Sequence, residues 1–138
     1  MSKQLGFTLV ELMVVVAIIV ILATIAYPMY SEQARKGRRV EGRDALLAIA
    51  QAEERFYTVN GTYVITDIND LGVGAACNRT SQFGCTSQDR GYYNVTVSGT
   101  ASTFSATATA TGGQASDTCT AMTIDQLGQK GGTGTGCW

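Results

Sequence analysis

One long apolar run near the start of the chain constrains the fold more than any other feature. Residues 7–27 contain a single charged side chain, Glu11, and residues 12–23 are apolar without interruption. As an α-helix this run would measure about 31 Å, which matches the roughly 30 Å hydrocarbon core of a bilayer. We therefore predict a helix over residues 7–28 that spans a membrane or packs among other apolar helices.

A short polar segment, residues 1–6, precedes the apolar run and ends in Gly6. An ordinary secretory signal is cleaved on the far side of its hydrophobic region, usually at a pattern of small residues. Here the small residue stands before the hydrophobic region. Cleavage after Gly6 would therefore remove only a leader peptide and would leave the apolar helix in the mature protein.

Glu11 is the feature that a plain membrane anchor does not explain. A carboxylate within a spanning helix costs roughly 2.5–3.5 kcal/mol, somewhat less near an end, and such a residue usually has a partner. Cleavage after Gly6 would create an α-amine on Phe7, at a helix N-terminus where the dipole disfavours positive charge. We predict that this amine pairs with Glu11. A pair within one chain and a pair between adjacent chains both satisfy the electrostatics.

Composition argues against catalysis. The chain has no histidine, which excludes imidazole acid–base catalysis, histidine metal sites and nucleophiles activated by an imidazole. Catalysis without histidine needs paired carboxylates or a Ser–Lys couple, and Asp67 and Asp70 lie in a turn-rich segment where aspartate is common. Asp117 and Asp125 lack the spacing of a calcium loop, so we expect neither a metal nor a cofactor.

Helical character continues beyond Pro28, across residues 29–59. Proline cannot donate a backbone hydrogen bond, so we predict a kink or a helix break at Pro28, and the end of the membrane helix is the alternative. An apolar stripe at alternating spacings of four and three residues predicts a helical face buried against a sheet. Its members are Ala45, Ile49, Ala52, Phe56 and Val59. Asn60 and Gly61 then supply a left-handed helix end.

Residues 60–138 change to turns and short alternating segments, which predict a head built on an antiparallel sheet. The predicted strands cover residues 92–98, 103–111 and 121–126. The apolar residues between positions 63 and 78 follow neither a helical nor a strand period. We therefore predict a connecting loop there with a short strand or turn. The fold class is therefore α+β, with a long N-terminal helix packed on a small sheet of three or four strands.

Four cysteines lie in the C-terminal half and form no Cys-x-x-Cys pair, so a zinc ribbon or a thioredoxin-like site fits poorly. Disulfides formed in an oxidising compartment are the natural interpretation. Of the three possible pairings we favour the sequential one, Cys77–Cys85 and Cys119–Cys137, because it closes two local loops. The second bridge would hold the glycine-rich tail, residues 128–136.

The apolar run and the residues before it resemble the class III signal and N-terminal helix of type IV prepilins. The resemblance rests on Gly6, Phe7 and Glu11 at fixed spacing before the apolar residues, within residues 6–18. It implies that prepilin peptidase cleaves after Gly6 and N-methylates Phe7, and that Glu11 guides assembly. It also implies two kinds of partner: other pilin subunits in a helical filament and the inner-membrane pilus assembly machinery. Type II secretion pseudopilins share the same motif.

Motifs in residues 56–130 resemble the heads of minor pilins in the PilE and ComP group. They include Tyr92 and Tyr93 in the first predicted strand and the residues around Cys119. Pseudopilin heads generally lack the C-terminal loop bounded by Cys119 and Cys137, which favours a pilus over secretion. The resemblance implies a structural subunit, major or minor, of a type IV pilus that supports adhesion, twitching motility or DNA uptake.

The signals for membrane orientation disagree. Lys3 precedes the apolar run and five basic residues follow it between positions 35 and 43, which by the positive-inside rule would place the C-terminal side in the cytoplasm. The cysteines and the resemblance argue for the opposite orientation. We therefore expect a single-pass protein of the bacterial inner membrane, with its head in the periplasm, that later joins an extracellular pilus.

A ComP-like receptor for DNA is the alternative function. The whole chain has a net charge of −1, and residues 57–138 carry three basic and five acidic side chains, which weakens attraction to phosphate. Arg79, Arg90, Tyr92 and Lys130 are the candidate DNA contacts, since arginines beside stacking aromatics bind nucleic acid. We expect instead that the tyrosines pack in the sheet and that the arginines are solvated, which favours the structural subunit.

Overall fold

A computed structural model describes residues 6–74, 77–87 and 91–138. A long helix, α1 (Leu9–Asn60), is followed by a six-stranded antiparallel sheet. The strands are β1 (Cys77–Ser81), β2 (Gly84–Ser87), β3 (Tyr93–Gly99), β4 (Phe104–Ala110), β5 (Ala121–Asp125) and β6 (Lys130–Gly132). Short 3-10 helices lie at Ile68–Leu71 and Gly112–Gln114. The chain divides into two compact units, an N-terminal unit that ends at Ala34 and a head that comprises Arg35–Trp138.

The N-terminal unit consists mainly of the first part of α1. Thr8 caps the helix, because its Oγ1 accepts a hydrogen bond from the backbone N–H of Glu11 at 3.2 Å. The helix contains an 18-residue window with a mean hydropathy of 3.0, and none of that window is buried. By length and composition α1 can cross a membrane.

Pro28 lies inside α1, and the helix continues on both sides of it. The structure therefore lacks the predicted helix break at Pro28. A proline removes one backbone donor, so the carbonyl of Thr24 loses its intrahelical partner, while the other bonds of the helix persist. The hydroxyl of Ser31 donates to the carbonyl oxygen of Pro28 at 2.9 Å.

The end of α1 agrees with the sequence prediction within one residue. Gly61 follows Asn60 with a left-handed φ of 68°, and its N–H donates to the carbonyl of Tyr57 at 2.8 Å. Three members of the predicted apolar stripe are buried and Phe56 is half-buried. Val59 is 83% exposed, contrary to the prediction, because it lies in the last turn of the helix, beyond the core.

The sheet is a meander in which each strand pairs with its neighbour in the chain. The three predicted strands are confirmed as β3, β4 and β5, each within one residue of its predicted bounds. Buried and exposed side chains alternate along them, as the two-residue period of a strand requires. Three strands, β1, β2 and β6, go beyond the prediction. Their short polar and glycine-containing sequences give no apolar alternation to detect.

Residues 77–85, predicted to be a loop closed by a disulfide, form the hairpin of β1 and β2. The predicted bridge is present and joins the two strands, with a Cα–Cα distance of 5.6 Å between Cys77 and Cys85. The second bridge, Cys119–Cys137, is also present, with a Cα–Cα distance of 5.4 Å. The sequential pairing is therefore confirmed.

The core of the head lies between one face of α1 and the middle of the sheet. Leu46 and Ile49 from the helix are fully buried, as are Tyr93 from β3 and Met122 from β5. Gly42 brings the helix backbone close to the sheet, since a Cβ atom built there would lie 2.9 Å from Cγ of Tyr93. A side chain at this position would push the helix away from the strands.

Candidate assembly and nucleic-acid interfaces

A buried ion pair joins α1 to the segment between β4 and β5. Arg39 and Asp117 are 4% and 7% exposed. The guanidinium of Arg39 donates through Nε to Oδ2 and through Nη2 to Oδ1 of Asp117, both at 2.7 Å. These hydrogen bonds hold the pKa of Asp117 below its ordinary value, against the opposing effect of burial. The pair therefore stays ionised at neutral pH.

Two arginines on α1 also hold the C-terminal disulfide loop. Arg39 Nη1 donates to the carbonyl of Gly136 at 2.8 Å, and Nε of Arg43 donates to the carbonyl of Cys137 at 2.7 Å. Cys137 is in turn bridged to Cys119. Sequence reasoning assigned no role to these arginines, although their spacing of four residues places them on one helix face.

Gln114 extends this buried polar network. Its side-chain nitrogen shares its two hydrogens among three acceptors: Oδ2 of Asp117 at 2.9 Å, the hydroxyl of Tyr93 at 3.2 Å and the carbonyl of Arg35 at 3.0 Å. Burial raises the pKa of Tyr93, so the phenol stays protonated. The side-chain oxygen of Gln114 has no hydrogen-bond partner among the described residues, but the bonds from its nitrogen connect the loop to α1 and to β3.

The residues predicted to direct assembly lie on an exposed surface. Residues 6–30 are all exposed, and Phe7 is 80% exposed. The predicted cleavage position between Gly6 and Phe7 lies at the start of this region, and residues 1–5 fall outside the described residues. Soluble proteins rarely expose so large a contiguous apolar surface, so this helix requires a lipid or protein environment. The roles of Gly6, Phe7 and Glu11 stay predictions.

Arg79, a candidate DNA contact, is engaged with a carboxylate. Its Nε donates to Oδ1 of Asp67 at 3.1 Å, and its Nη2 donates to Oδ2 of the same residue. Hydrogen bonds from the backbone N–H of Asn69 and from Arg79 lower the pKa of Asp67. The charge of Arg79 is thus locally balanced, which makes it a poor phosphate ligand. Arg90, a second candidate, lies outside the described residues.

Tyr92 and Lys130 each take part in a cation–aromatic contact. The guanidinium carbon of Arg38 lies 4.5 Å from the centre of the Tyr92 ring, and Nζ of Lys130 lies 5.0 Å from the centre of the Trp138 ring. Tyr92 is half-buried, whereas its neighbour Tyr93 is fully buried in the sheet, as predicted. Arg38 was not predicted as a contact because it lies on α1, outside the head residues 57–138 whose charges were counted.

Within the described ranges, most basic side chains lie on α1. Residues 35–43 contain five basic side chains and one acidic one, Glu41. Glu41 accepts hydrogen bonds from the hydroxyl of Ser87 and from the backbone N–H of Tyr92. The basic stretch and the Arg38–Tyr92 contact therefore meet β2 and the start of β3. Arg39 is buried in its ion pair with Asp117, so the strongest candidate for an anion-binding surface in the described part of the chain is formed by the other four basic residues, Arg35, Lys36, Arg38 and Arg43.

A family model described as "Type IV minor pilin ComP, DNA uptake sequence receptor" matches residues 28–123. The chain belongs to this family of type IV minor pilins. A second model, the "Prokaryotic N-terminal methylation motif", matches residues 1–27 of the pilin. This second match contains Gly6, Phe7 and Glu11, and the two matches together leave only residues 124–138 uncovered. The resemblance to type IV pilins is confirmed.

Curated relatives match this pilin over shorter stretches. The type IV major pilin protein PilA of Myxococcus xanthus is 39% identical over 61 residues, which are 44% of this chain and 28% of PilA. The fimbrial protein EcpB of Eikenella corrodens is 58% identical over 38 residues, which are 28% of this chain and 24% of EcpB. The matches thus span about a quarter of the length of these relatives.

Two solved structures share the fold of this pilin over most of its length. The non-core minor pilin PilV of Neisseria meningitidis has 27% sequence identity and a TM-score of 0.55, over 76% of this chain and 92% of PilV. A type IV pilin from Shewanella oneidensis has 29% identity and a TM-score of 0.52, over 75% of this chain and 97% of that pilin. The α+β pilin fold is therefore confirmed, and a pilin is favoured over a secretion pseudopilin.

Proposed function

We propose that this pilin is a structural subunit of a type IV pilus, held in the filament by its apolar helix. The observation that carries the proposal is the exposed apolar surface of residues 9–30, which a bundle of like helices would bury. In that bundle Glu11 sets the axial register between neighbours. Head-to-tail contacts of this kind generate an open helical assembly.

Before assembly, the helix spans the bacterial inner membrane once and the head lies in the periplasm. Prepilin peptidase removes residues 1–6 and methylates the amine of Phe7, and the pilus machinery then extracts the subunit. Residues 7–28 enter the filament core, residues 29–59 continue the helix, and residues 60–138 form the rest of the head. The two disulfides support an oxidising compartment. The proposal gives the subunit no catalytic step.

Mass spectrometry of sheared surface filaments tests this proposal. We expect the recovered chain to begin at a methylated Phe7 and to contain both disulfides. The sheared surface fraction of a strain that lacks prepilin peptidase activity serves as the control, and it should lack the chain. Recovery of the full-length, unmethylated chain only in the cytoplasmic fraction would overturn the proposal.

A ComP-like receptor for DNA is a second candidate function. The observation that favours it is the guanidinium of Arg38 over the ring of Tyr92, within the basic stretch of residues 35–43. The printed description of the family, a DNA uptake sequence receptor, supports the same candidate. Phosphate would contact the accessible basic side chains, and an unpaired base would stack on the half-buried Tyr92 ring or on the guanidinium of Arg38.

A gel-shift assay on the full chain in detergent tests the DNA candidate. Arg38→Gln is expected to weaken binding and to reduce the slope of affinity against salt by about one. Arg79→Gln is the matched control, because Asp67 already balances that charge, and it is expected to bind DNA like the parent protein. Absence of binding at low salt, or equal losses in both variants, would dismiss this candidate.

A further inference from the structure

Glu53 is a buried carboxyl group without a hydrogen-bond partner. It lies on the face of α1 that carries the buried residues Leu46, Ile49 and Ala52, and it is 0% exposed. Both of its carboxyl oxygens lack a hydrogen-bond partner. An apolar residue would be expected at this buried position of α1. Glu53 takes no part in the ion pair of Arg39 with Asp117, and it lies outside the exposed apolar residues 9–30.

An ionised carboxylate in this position would be very unfavourable. Moving a charge out of water without a partner costs far more than burying a neutral carboxyl group, so a buried acid takes up a proton instead. The neighbouring Glu54 on α1 repels a negative charge on Glu53, which makes the ionised form of Glu53 still less favourable. Tyr63, in the loop after α1, donates its hydroxyl to Glu54 at 3.0 Å rather than to Glu53.

The titratable groups on the elements around α1 do not compensate Glu53. Tyr93 of β3 is bonded to Gln114, and Asp125 of β5 accepts hydrogen bonds from its own turn. Asp70, after α1, accepts from the backbone N–H and hydroxyl of Thr66. Within the described ranges, no cation contributes to the electrostatics of Glu53.

We propose that Glu53 is uncharged in the folded head and that its ionisation destabilises the contact between α1 and the sheet, so that the head loses stability as pH rises. Burial raises the pKa of Glu53 from an ordinary value of 4.5 to about 7, and the charge of Glu54 adds to this shift. The head would thus be more stable in mildly acidic surroundings than in alkaline ones.

The direction of the pH dependence follows from proton binding. Between pH 4.5 and pH 7 the folded head holds a proton on Glu53 that the unfolded chain has released. The unfolding equilibrium constant therefore rises with pH in this window, by up to about tenfold per pH unit at its middle, and levels off above it. The chain has no histidine, so no imidazole titrates in the same window. Asp117, whose pKa is lowered, acts at lower pH and in the opposite direction.

Urea unfolding of the full chain in detergent micelles tests the proposal. Trp138 is the single tryptophan and its Nε1 donates to the carbonyl of Gly131, so its fluorescence reports on the head. From pH 5 to pH 7 we expect the unfolding constant of the parent protein to rise about fortyfold. Glu53→Gln should abolish this rise, whereas Glu54→Gln, the matched control, should retain most of it.

A pH-independent unfolding constant in the parent protein would overturn the proposal, as would a Glu53→Gln variant with the parent's pH dependence. Infrared difference spectroscopy of the folded parent covers the case in which Glu53→Gln fails to fold. A protonated carboxyl band that titrates near neutral pH and disappears in Glu53→Met is expected. Absence of that band at pH 5 would equally overturn the proposal.

Discussion

The two parts of α1 differ in the burial of their side chains. Residues 9–30 are all exposed, whereas seven residues between Arg39 and Glu53 are buried against the sheet and its loops. The apolar surface of the first part can be buried only against lipid or other chains. The second part packs against residues of the head. Substitutions in the first part should therefore change assembly and leave folding intact, and substitutions in the second part should do the reverse.

The largest effect is expected from Glu11→Val, which tests the first half of this comparison. The carboxylate is proposed to pair with the amine of a processed neighbour, and loss of a pair in an apolar filament core leaves a buried charge unpaired. We expect at least a tenfold loss of the subunit from sheared filaments, measured by quantitative immunoblotting. Urea unfolding of the head should be unchanged.

Thr24→Val is the control for Glu11→Val. It also replaces a polar side chain in the exposed part of the helix, but the Thr24 hydroxyl donates only to the carbonyl of Ile21, within its own chain. We expect normal filament content. Normal incorporation of Glu11→Val would contradict the assigned role of the glutamate, and equal defects in both variants would point to helix insertion instead.

Asp117→Ala tests the second half of the comparison. Asp117→Ala removes the carboxylate from a buried ion pair with Arg39 and is expected to destabilise the head by about 3–5 kcal/mol. Because the pKa of Asp117 is lowered, the pair stabilises the head above the ordinary carboxyl pKa and loses this effect as pH falls through the lowered value. Urea unfolding followed by Trp138 fluorescence measures both effects.

Asp125→Ala is the matched control for Asp117→Ala. Asp125 accepts hydrogen bonds from the backbone N–H groups of Leu127 and Gln129 in an exposed turn and has no cationic partner among the bonds described above. Its loss should destabilise the head much less than the loss of Asp117. Equal destabilisation would mean that the Arg39–Asp117 pair does not anchor the loop to the helix.

Much of the fold could be predicted because its signals are local in sequence. The alternation along β3 and β4, the glycine after Asn60 and the short separations within each cysteine pair all involve neighbouring residues. The spacing of Gly6, Phe7 and Glu11 is equally local, and it indicates a pilin without any tertiary contact. The sequence does not predict β1, β2 and β6, because Ser, Thr, Asn and Gly residues give no apolar period.

The polar contacts of the head could not be predicted because they join distant parts of the chain. Arg39 and Asp117 are 78 residues apart, and Arg43 reaches a carbonyl 94 residues away. Arg79 is a reasonable DNA contact from its sequence neighbours alone, but the fold pairs it with Asp67. Burial of Glu53 without a partner is also a tertiary property, since in sequence it is one of two adjacent glutamates.

The two disulfides should differ modestly in their contribution to the head. The loop between Cys119 and Cys137 spans 18 residues and that between Cys77 and Cys85 spans 8. By the chain-entropy relation, double replacement by serine should destabilise the head by about 3 kcal/mol for the longer loop and about 2.5 kcal/mol for the shorter one. Urea unfolding under non-reducing conditions measures both, and unchanged filament core packing is expected in each.

The smallest change in stability is expected from alanine substitutions at two glycines of α1, one facing the sheet and one in open space. Gly42→Ala should destabilise the head by about 1–3 kcal/mol, because the new Cβ would lie 2.9 Å from the Tyr93 ring and would force the helix away from β3. Gly37→Ala has open space around it and should stabilise the head by about 0.4–1 kcal/mol through a less flexible unfolded chain. Changes of opposite sign in the free energy of unfolding would show that contact with the sheet, rather than helix propensity, determines the effect of an alanine in this part of α1. Two stabilising alanines would instead mean that the helix and the sheet can separate at Gly42 without loss.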